Sequence, residues 1–164
     1  MAQEEQYQIP VFLINGQLDS GKTSFISDTI EMGQFEEAKN KLLIVCEEGE
    51  EEYDEKMLKD NGVSMVVLEK EEFTEAKLKE LDKQYDPWVV IVEYNGMWDP
   101  ALIFDTTKPF GWEIYQSITI IDAMTFSNQW ANMKSIMAEM VKNVDMVVFN
   151  RCKSSMELGS YRRS

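Results

Sequence analysis

The sequence predicts an α/β fold with a mainly parallel sheet and helices on both faces. Short apolar runs rich in β-branched residues alternate along the chain with stretches whose apolar residues recur at helical spacing. Strands that alternate with helices favour right-handed crossovers and therefore parallel pairing. One run, "PWVVIVEY", is apolar at nearly every position, which is typical of a strand covered on both faces. We expect that strand to be central.

The first two thirds of the chain are predicted to form strands and helices in turn. Asn15-Gly16 ends the first strand, and Gly33 ends the helix that follows it. Thr74 can cap the third helix, because its hydroxyl can accept a hydrogen bond from a free backbone N–H. In chain order the elements are a strand at residues 10–15, a helix at 22–32, a strand at 41–47, a short helix through Tyr53, Met57 and Leu58, a strand at 64–69, a helix carrying Leu78, Leu81 and Tyr85, and a strand at 87–94.

The last third of the chain is predicted to add two strands and a helix. A loop rich in Pro, Gly and Trp, residues 96–111, precedes a strand at 117–123, and a final strand spans 145–150. Between these strands, Ser127 precedes a helix whose apolar stripe we interpret as core packing rather than a binding groove. The stripe consists of Trp130, Met133, Met137, Met140, Val141 and Val144.

The end of the chain predicts that more protein follows. Ser154 and Glu157 form a capping box, but only seven residues come after Glu157, so a helix begins and is barely completed. We interpret residues 1–164 as a single domain, and expect it to be the N-terminal fragment of a longer protein.

Composition and charge exclude several classes of function. The net charge of −14 repels phosphate backbones and anionic lipids, so neither nucleic acid nor a membrane is an expected partner. No run approaches the ~20 apolar residues of a membrane span, and the acidic N-terminus is unlike a signal peptide, so we expect a cytoplasmic protein. The 164 residues include no histidine, which excludes a Ser-His-Asp triad or an HExxH zinc helix within them. Cys46 and Cys152 match no metal-binding spacing and are interpreted as core residues.

The stretch "NGQLDSGKTS" carries the main functional signal. It fits the G-x-x-x-x-G-K-[ST] pattern of a phosphate-binding loop and lies between an apolar strand and an amphipathic helix. The glycines let consecutive backbone N–H groups surround an anion, Lys22 can reach the β- and γ-phosphates, and the Thr23 hydroxyl can bind Mg²⁺. The alternative is a glycine-lined turn with an exposed lysine. The nucleotide-binding residues predicted in this stretch are Gly16, Asp19, Ser20, Gly21, Lys22, Thr23 and Ser24.

A nucleotide hydrolase also needs an acidic side chain beside the phosphate loop. Glu93, at the end of the central strand, is the main candidate for a catalytic and metal-binding role, and the backbone of Gly96 can approach the γ-phosphate. Glu93 can instead be an exposed charge at a strand end. Glu47 is a weaker metal candidate, since the acidic run around it is either a solvated loop or a mobile loop that orders around Mg²⁺ and nucleotide.

The whole series of motifs resembles a known family. "PVFLINGQLDSGKTSFI", "LLIVCEEGEEEYD", "VVIVEYNGMWDP", "ITIIDAMTF" and "VDMVVFNR" together are similar to the N-terminal nucleotide-binding domain of CobW-type P-loop GTPases, the group that includes hydrogenase and urease nickel-insertion GTPases. The resemblance implies a P-loop fold and a Mg²⁺-dependent GTPase coupled to metal handling, or to metal delivery to a client protein. By position, Glu93 and Gly96 match the family's Glu-x-x-Gly, while Asn150 and Arg151 match the start of its Asn-Lys-x-Asp base-reading motif.

Three departures from the family pattern bear on function. "MVVLEKEEFTEAKL" contains no cysteine where the family's Cys-x-Cys-Cys metal motif is expected. Lys153 replaces the Asp of the base-reading motif, and an ammonium group can only donate where guanine recognition needs an acceptor. Asp19 puts an anion in the phosphate loop where the family usually has glycine, which is unfavourable unless it faces solvent, Mg²⁺ or a lysine.

Two functional hypotheses remain open on the sequence. The first is a GTPase with slow intrinsic turnover, since no arginine finger is identifiable. The second is a non-hydrolysing module that senses nucleotide or metal. A small-molecule kinase is a weaker third hypothesis, because no arginine-rich lid is apparent. GTP is the expected nucleotide, ATP stays open, and the sequence identifies neither the metal nor the client protein.

Overall fold

The computed structural model describes residues 8–46, 49, 51–107, 111–123 and 144–150. Strands and helices alternate along them, as the sequence predicts. In chain order the elements are β1 (Ile9–Gly16), α1 (Lys22–Glu31), β2 (Lys41–Val45), α2 (Glu55–Asp60), β3 (Val63–Val67), a 3₁₀ turn (Lys70–Glu72), α3 (Glu75–Tyr85), β4 (Val89–Glu93), α4 (Ala101–Thr107), β5 (Trp112–Asp122) and β6 (Met146–Asn150).

The strands form one parallel sheet. Their order is β3-β2-β4-β1-β5-β6, and each neighbouring pair is parallel. β4 lies between β2 and β1 and is buried at every position, so the prediction of a central strand is confirmed. Ile14 of β1 pairs with Glu93 of β4, which brings the carboxyl ends of these two strands together.

Helices cover both faces of the sheet, as predicted. Leu42 and Ile44 of β2 belong to a core cluster that includes residues of α3 and α4. Leu43 and Val45 point to the other face, where they pack with residues of α1 and α2. Side chains alternate across a strand, so the central strands β1, β2 and β4 contribute to both clusters. Burial of each aliphatic side chain contributes about 1.5–3 kcal/mol to the free energy of folding.

Side-chain caps fix the starts of two helices. Thr74 Oγ1 accepts a hydrogen bond from the backbone N–H of Lys77 at 3.2 Å, as predicted. Asp54 caps α2 by accepting from the backbone N–H groups of Lys56 and Met57. The sequence prediction that Tyr53 belongs to this short helix is therefore wrong, because the residue lies before the cap.

The stretch predicted as a loop at residues 96–111 contains a helix. α4 begins after Asp99-Pro100, where Asp99 Oδ1 accepts from the N–H of Ala101 at 2.9 Å. Proline is tolerated in the first turn of a helix, so its presence did not exclude this one. β5 also begins earlier than predicted, at Trp112, because its first residues already pair with β1.

Some predicted elements lie outside the described residues. These are the helix after Ser127 with most of its Met and Trp stripe, the capping box at Ser154, and Cys152. Cys46 is described, and it is buried in the core as predicted. Among the described residues, no helix is long and apolar enough to cross a lipid bilayer.

Candidate functional site

The predicted site residues gather at the carboxyl ends of the strands. β1 ends at Gly16, the adjacent β4 ends at Glu93, and β6 ends at Asn150. Ligands of open parallel sheets bind at this edge. Glu47 and Arg151, two further predicted site residues, lie outside the described part of the chain, as does Lys153.

Two glycines allow the phosphate-binding loop, residues 16–23, to fold. Gly16 and Gly21 have φ angles of 148° and 101°, which residues with a side chain rarely adopt. A Cβ atom on Gly16 would lie 2.4 Å from the carbonyl oxygen of Ile120, and one on Gly21 would lie 1.9 Å from Nδ2 of Asn150. The loop is therefore closely packed against β5 and β6, and no larger residue fits either position.

Lys22 lies under this loop with its ammonium group satisfied by backbone oxygens. Its side chain is only 3% exposed. Nζ donates to the carbonyl oxygens of Gly16 at 2.6 Å and Gln17 at 3.1 Å. A buried cation needs such acceptors, because burial removes the water molecules that would otherwise hydrate it. The structure thus excludes the alternative of an exposed lysine on a glycine-lined turn.

Ser20 contributes a buried hydroxyl to the loop. The residue is 1% exposed, and within the described ranges its Oγ has no hydrogen-bond partner. An unsatisfied buried polar group costs about 1–3 kcal/mol, so such groups are rare in folded proteins. An acceptor such as a phosphate oxygen would satisfy this hydroxyl.

Glu93 joins the phosphate loop to the segment after β2. The residue is 3% exposed, and its carboxylate accepts hydrogen bonds on both oxygens. Thr23 Oγ1 donates to Oε1 at 3.0 Å, and the hydroxyl of Tyr53 donates to Oε2. The structure therefore excludes the alternative that Glu93 is an exposed strand-end charge.

Tyr53 was missed as a site residue by sequence reasoning, which treated it only as an apolar helix position. Burial raises the pKa of its hydroxyl well above the ordinary value, and the neighbouring charge of Glu93 raises it further. Tyr53 therefore remains a neutral donor at physiological pH. The only available signal in the sequence was a lone aromatic residue in an acidic run, which has no specific spacing to identify it.

Asp19 adopts a left-handed conformation with φ of 56°, which explains why glycine suits this position of the loop. The residue is exposed to solvent. Its Oδ1 atom lies 2.5 Å from where a Cβ on Gly49 would be. Exposure moderates the unfavourable effect of an anion in a phosphate loop, because water screens its charge.

Asn150 braces the phosphate loop from β6. Its Nδ2 donates to the carbonyl oxygen of Ser20 at 3.1 Å.

Gly96 is buried in the turn after β4, three residues beyond Glu93. Ser24, the third residue of α1, is exposed and donates its hydroxyl to Oε2 of Glu51.

A cavity of about 320 Å³ lies beside Thr23 and Glu93. Its wall is apolar on one side, at Val45, Met65 and Val67, and its other lining residues are mostly acidic. In the described part of the chain, no group of three or more His, Cys, Asp or Glu side chains is arranged to hold a metal ion. A cation beside Thr23 and Glu93 would gain further oxygen ligands from a bound phosphate and from water, which is how Mg²⁺ is usually held beside nucleotides.

Comparison with known proteins agrees with this geometry. A family model described as "CobW/HypB/UreG, nucleotide-binding domain" matches residues 10–160, which is nearly the whole chain. A search of curated proteins returned no match.

Proposed function

The chain belongs to the CobW/HypB/UreG nucleotide-binding domain family, and on that premise we propose that it is a Mg²⁺-dependent GTPase. The observation that carries the proposal is the pairing of a buried lysine with a Thr23–Glu93 hydrogen bond at adjacent strand ends. Phosphoryl transfer depends mainly on positioning and on charge stabilisation, and this pairing supplies a cation and an acidic group for both.

The phosphate loop would bind the triphosphate. Its backbone N–H groups and the dipole of α1 favour an anion at this position. Lys22 would exchange a hydrogen bond to a carbonyl oxygen for one to a phosphate oxygen. The second bond is stronger, because both partners are charged. The orphaned hydroxyl of Ser20 supports this assignment, since a phosphate oxygen gives it the acceptor it lacks.

The residues present fit a magnesium ion. The Thr23 hydroxyl donates its hydrogen bond to Glu93, so the lone pairs of Oγ1 are free to face a hard cation. Thr23 would bind the ion, and Glu93 would hold it or a water molecule bound near it. When bound, Mg²⁺ neutralises charge on the phosphates. Glu93 would also orient the attacking water.

Intrinsic turnover is proposed to be slow. An arginine finger stabilises the transition state of many P-loop enzymes, and the described ranges include no arginine. A partner protein that supplies a cation would then accelerate the reaction.

The nucleotide is proposed to be GTP, and the role to be metal handling or delivery to a client protein, as family membership suggests. Asn150, which by position matches the start of the family's base-reading motif, lies against the phosphate loop. The motif continues with Lys153 instead of an acceptor, so binding of ATP stays an outcome to test. Without the family's cysteine motif, a metal would have to be bound elsewhere.

Lys153 and the missing cysteines favour a second candidate function, a module that binds nucleotide or metal without hydrolysis and signals by conformation. Nucleotide binding with no phosphate release above the Lys22→Ala background, with and without candidate partners, would support this alternative.

Thermal unfolding with Mg-GTP, Mg-ATP and Mg²⁺ alone tests the proposal. A ligand that binds only the native state raises its stability, by about 2.7 kcal/mol at 100 times its Kd. We expect a rise with Mg-GTP that Lys22→Ala abolishes. Lys83→Ala, at an exposed lysine of α3, is the matched control and should respond like the parent chain. A parent chain that responds to neither nucleotide would overturn the proposal.

A further inference from the structure

We propose that Tyr53 is a positioning residue of the magnesium site, whose hydroxyl fixes the Glu93 carboxylate so that Thr23 faces the cation. This inference rests on the proposed function, because it assigns to Tyr53 a part in the same site. It concerns a side chain that neither the phosphate-loop pattern nor the Glu-x-x-Gly pattern includes.

The two carboxylate oxygens of Glu93 accept from different donors. Oε1 of Glu93 accepts from Thr23, and Oε2 accepts from Tyr53. The terminal torsion of a glutamate side chain has a broad energy minimum, so the orientation of the carboxylate plane depends on its hydrogen-bond donors. Donors on both oxygens restrain that plane more than a donor on one oxygen does. Hydrogen bonds to an ionised group are also the stronger kind.

Tyr53 is itself held in place by packing and by the adjacent helix cap. Its ring packs against the core cluster shared by α1, α2 and the sheet. The next residue, Asp54, caps α2 and so ties the backbone at this point to the helix. Packing and the helix cap therefore hold the Tyr53 hydroxyl beside Glu93, although the two residues are 40 residues apart in the chain.

Through Glu93, Tyr53 also affects the orientation of the Thr23 hydroxyl. The threonine hydroxyl has one proton, and while Glu93 accepts it the oxygen lone pairs point elsewhere, where a cation can bind. If Glu93 turns, that proton can be donated in another direction and the lone pairs lose their orientation. Loss of a partner that orients a metal-binding group typically costs 10–100-fold in metal affinity.

Tyr53→Phe tests the inference, because phenylalanine keeps the ring and removes only the hydroxyl. We expect the Mg²⁺ concentration for half-maximal stabilisation by GTP to rise about tenfold. Stabilisation by GTP in excess EDTA should change less than about twofold, because the phosphate loop is untouched. The matched control is Tyr85→Phe, at another half-buried tyrosine that ends α3 on the opposite face of the sheet.

A merely structural role of Tyr53 predicts a different result, in which binding with and without Mg²⁺ weakens by the same factor. That result, or a Mg²⁺ requirement equal to the parent's, would overturn the inference. The double variant Tyr53→Phe/Glu93→Gln adds a second check. Since Tyr53 is proposed to act through Glu93, the two changes together should raise the Mg²⁺ requirement no further than Glu93→Gln alone, and additive effects would contradict the proposal.

The two proposals fail in distinguishable ways. If the parent chain shows no response to Mg-GTP, the proposed function is overturned and the role of Tyr53 falls with it. If the parent responds and loses the response in Lys22→Ala, but Tyr53→Phe behaves like Tyr85→Phe, only the inference about Tyr53 is overturned.

Discussion

The phosphate-binding loop and the acidic segment, defined as residues 49 and 51–54, form two sides of one site but are encoded differently. The loop consists of a strand end, two glycines with positive φ angles and a lysine that bonds to the loop's own carbonyls. The acidic segment has no such internal pattern. It approaches the loop through side chains, with Glu51 accepting from Ser24 and Tyr53 donating to Glu93.

The difference shows which kind of site a sequence can reveal. A loop that depends on backbone conformation needs particular residues at fixed spacing, so its pattern is visible in the chain. A segment that depends on long-range side-chain contacts needs only a suitable donor at the right point in space. From sequence, the acidic run was open to two interpretations, a solvated loop or one that orders around Mg²⁺ and nucleotide. The structure adds contacts with the site that neither interpretation specified.

A pair of glycine substitutions gives the largest expected difference between the two regions. Gly21→Ala should abolish stabilisation by Mg-GTP, since φ is 101° and the new Cβ would lie 1.9 Å from Asn150 Nδ2. Gly49→Ala is the matched change in the acidic segment. Its φ lies outside the strained range. The new Cβ would lie 2.5 Å from Oδ1 at the end of the Asp19 side chain and in ordinary contact with Cδ1 of Leu18 at 3.5 Å.

Thermal unfolding with and without Mg-GTP measures both glycine variants. Gly21→Ala should also lower the unfolding free energy by about 1–3 kcal/mol, as strained substitutions do. Gly49→Ala should stay within about 1 kcal/mol of the parent. Equal losses in the two variants would mean that the acidic segment depends on backbone conformation as strictly as the loop does.

Glu93→Gln tests the hydrogen bonds that join the two regions. The amide side chain presents an NH₂ group to one of the two hydroxyl donors, which costs about 1–3 kcal/mol if that donor finds no other acceptor. We expect the Mg²⁺ requirement for GTP binding to rise about 10–100-fold. Glu80→Gln, on the exposed side of α3, is the control. An unchanged Mg²⁺ requirement in Glu93→Gln would show that Glu93 has no role in binding the metal.

Alkaline unfolding gives a smaller effect that isolates Tyr53. The folded-state pKa of this tyrosine is raised above the ordinary value of 10.0, first by burial and then by Glu93. Its contribution to stability is therefore constant below about pH 9 and declines once the unfolded chain releases the proton, above about pH 10. The slope is about 1.4 kcal/mol per pH unit for one such group.

Tyr53→Phe should show a shallower loss of stability than the parent above about pH 10, because it lacks this titrating group. Melting temperatures recorded from about pH 8 to pH 11 measure the slope. Tyr94 titrates in both proteins, since burial raises its pKa as well, so some alkaline loss should remain in the variant. Parallel curves for the two proteins would indicate that the Tyr53 hydroxyl is not buried against Glu93.

Most of the sheet could be predicted from the sequence, because its signals are local. Apolar runs of strand length mark the strands, and their alternation with helices favours parallel crossovers. β4 is the clearest case, because a strand buried on both faces has no polar alternation. α4 was missed because it is one short helix in a stretch rich in Pro, Gly and Trp. The start of β5 was missed because exposed Glu113 and Tyr115 alternate with less exposed residues, which weakens the apolar signal.

In the candidate site, Lys22, Thr23 and Glu93 could be predicted by position, but their hydrogen bonds could not. Asp19 is exposed and has a left-handed backbone conformation, and its position in the phosphate-loop pattern predicted neither property. Gly96 was placed correctly in the turn after the central strand, while its contact with a phosphate stays a prediction. So do the roles of Glu47 and Arg151.

The sequence by itself determined the parallel α/β fold and the phosphate-binding loop, because both depend on local periodicity and on backbone conformations that few residues allow. Only the tertiary structure decided that Asn150 braces Ser20 across 130 residues, and that Tyr53 donates to Glu93. Those contacts follow from the strand order β3-β2-β4-β1-β5-β6, which brings the ends of distant strands together at one edge. Strand order is set by the packing of the whole core, and no single stretch of the chain encodes it.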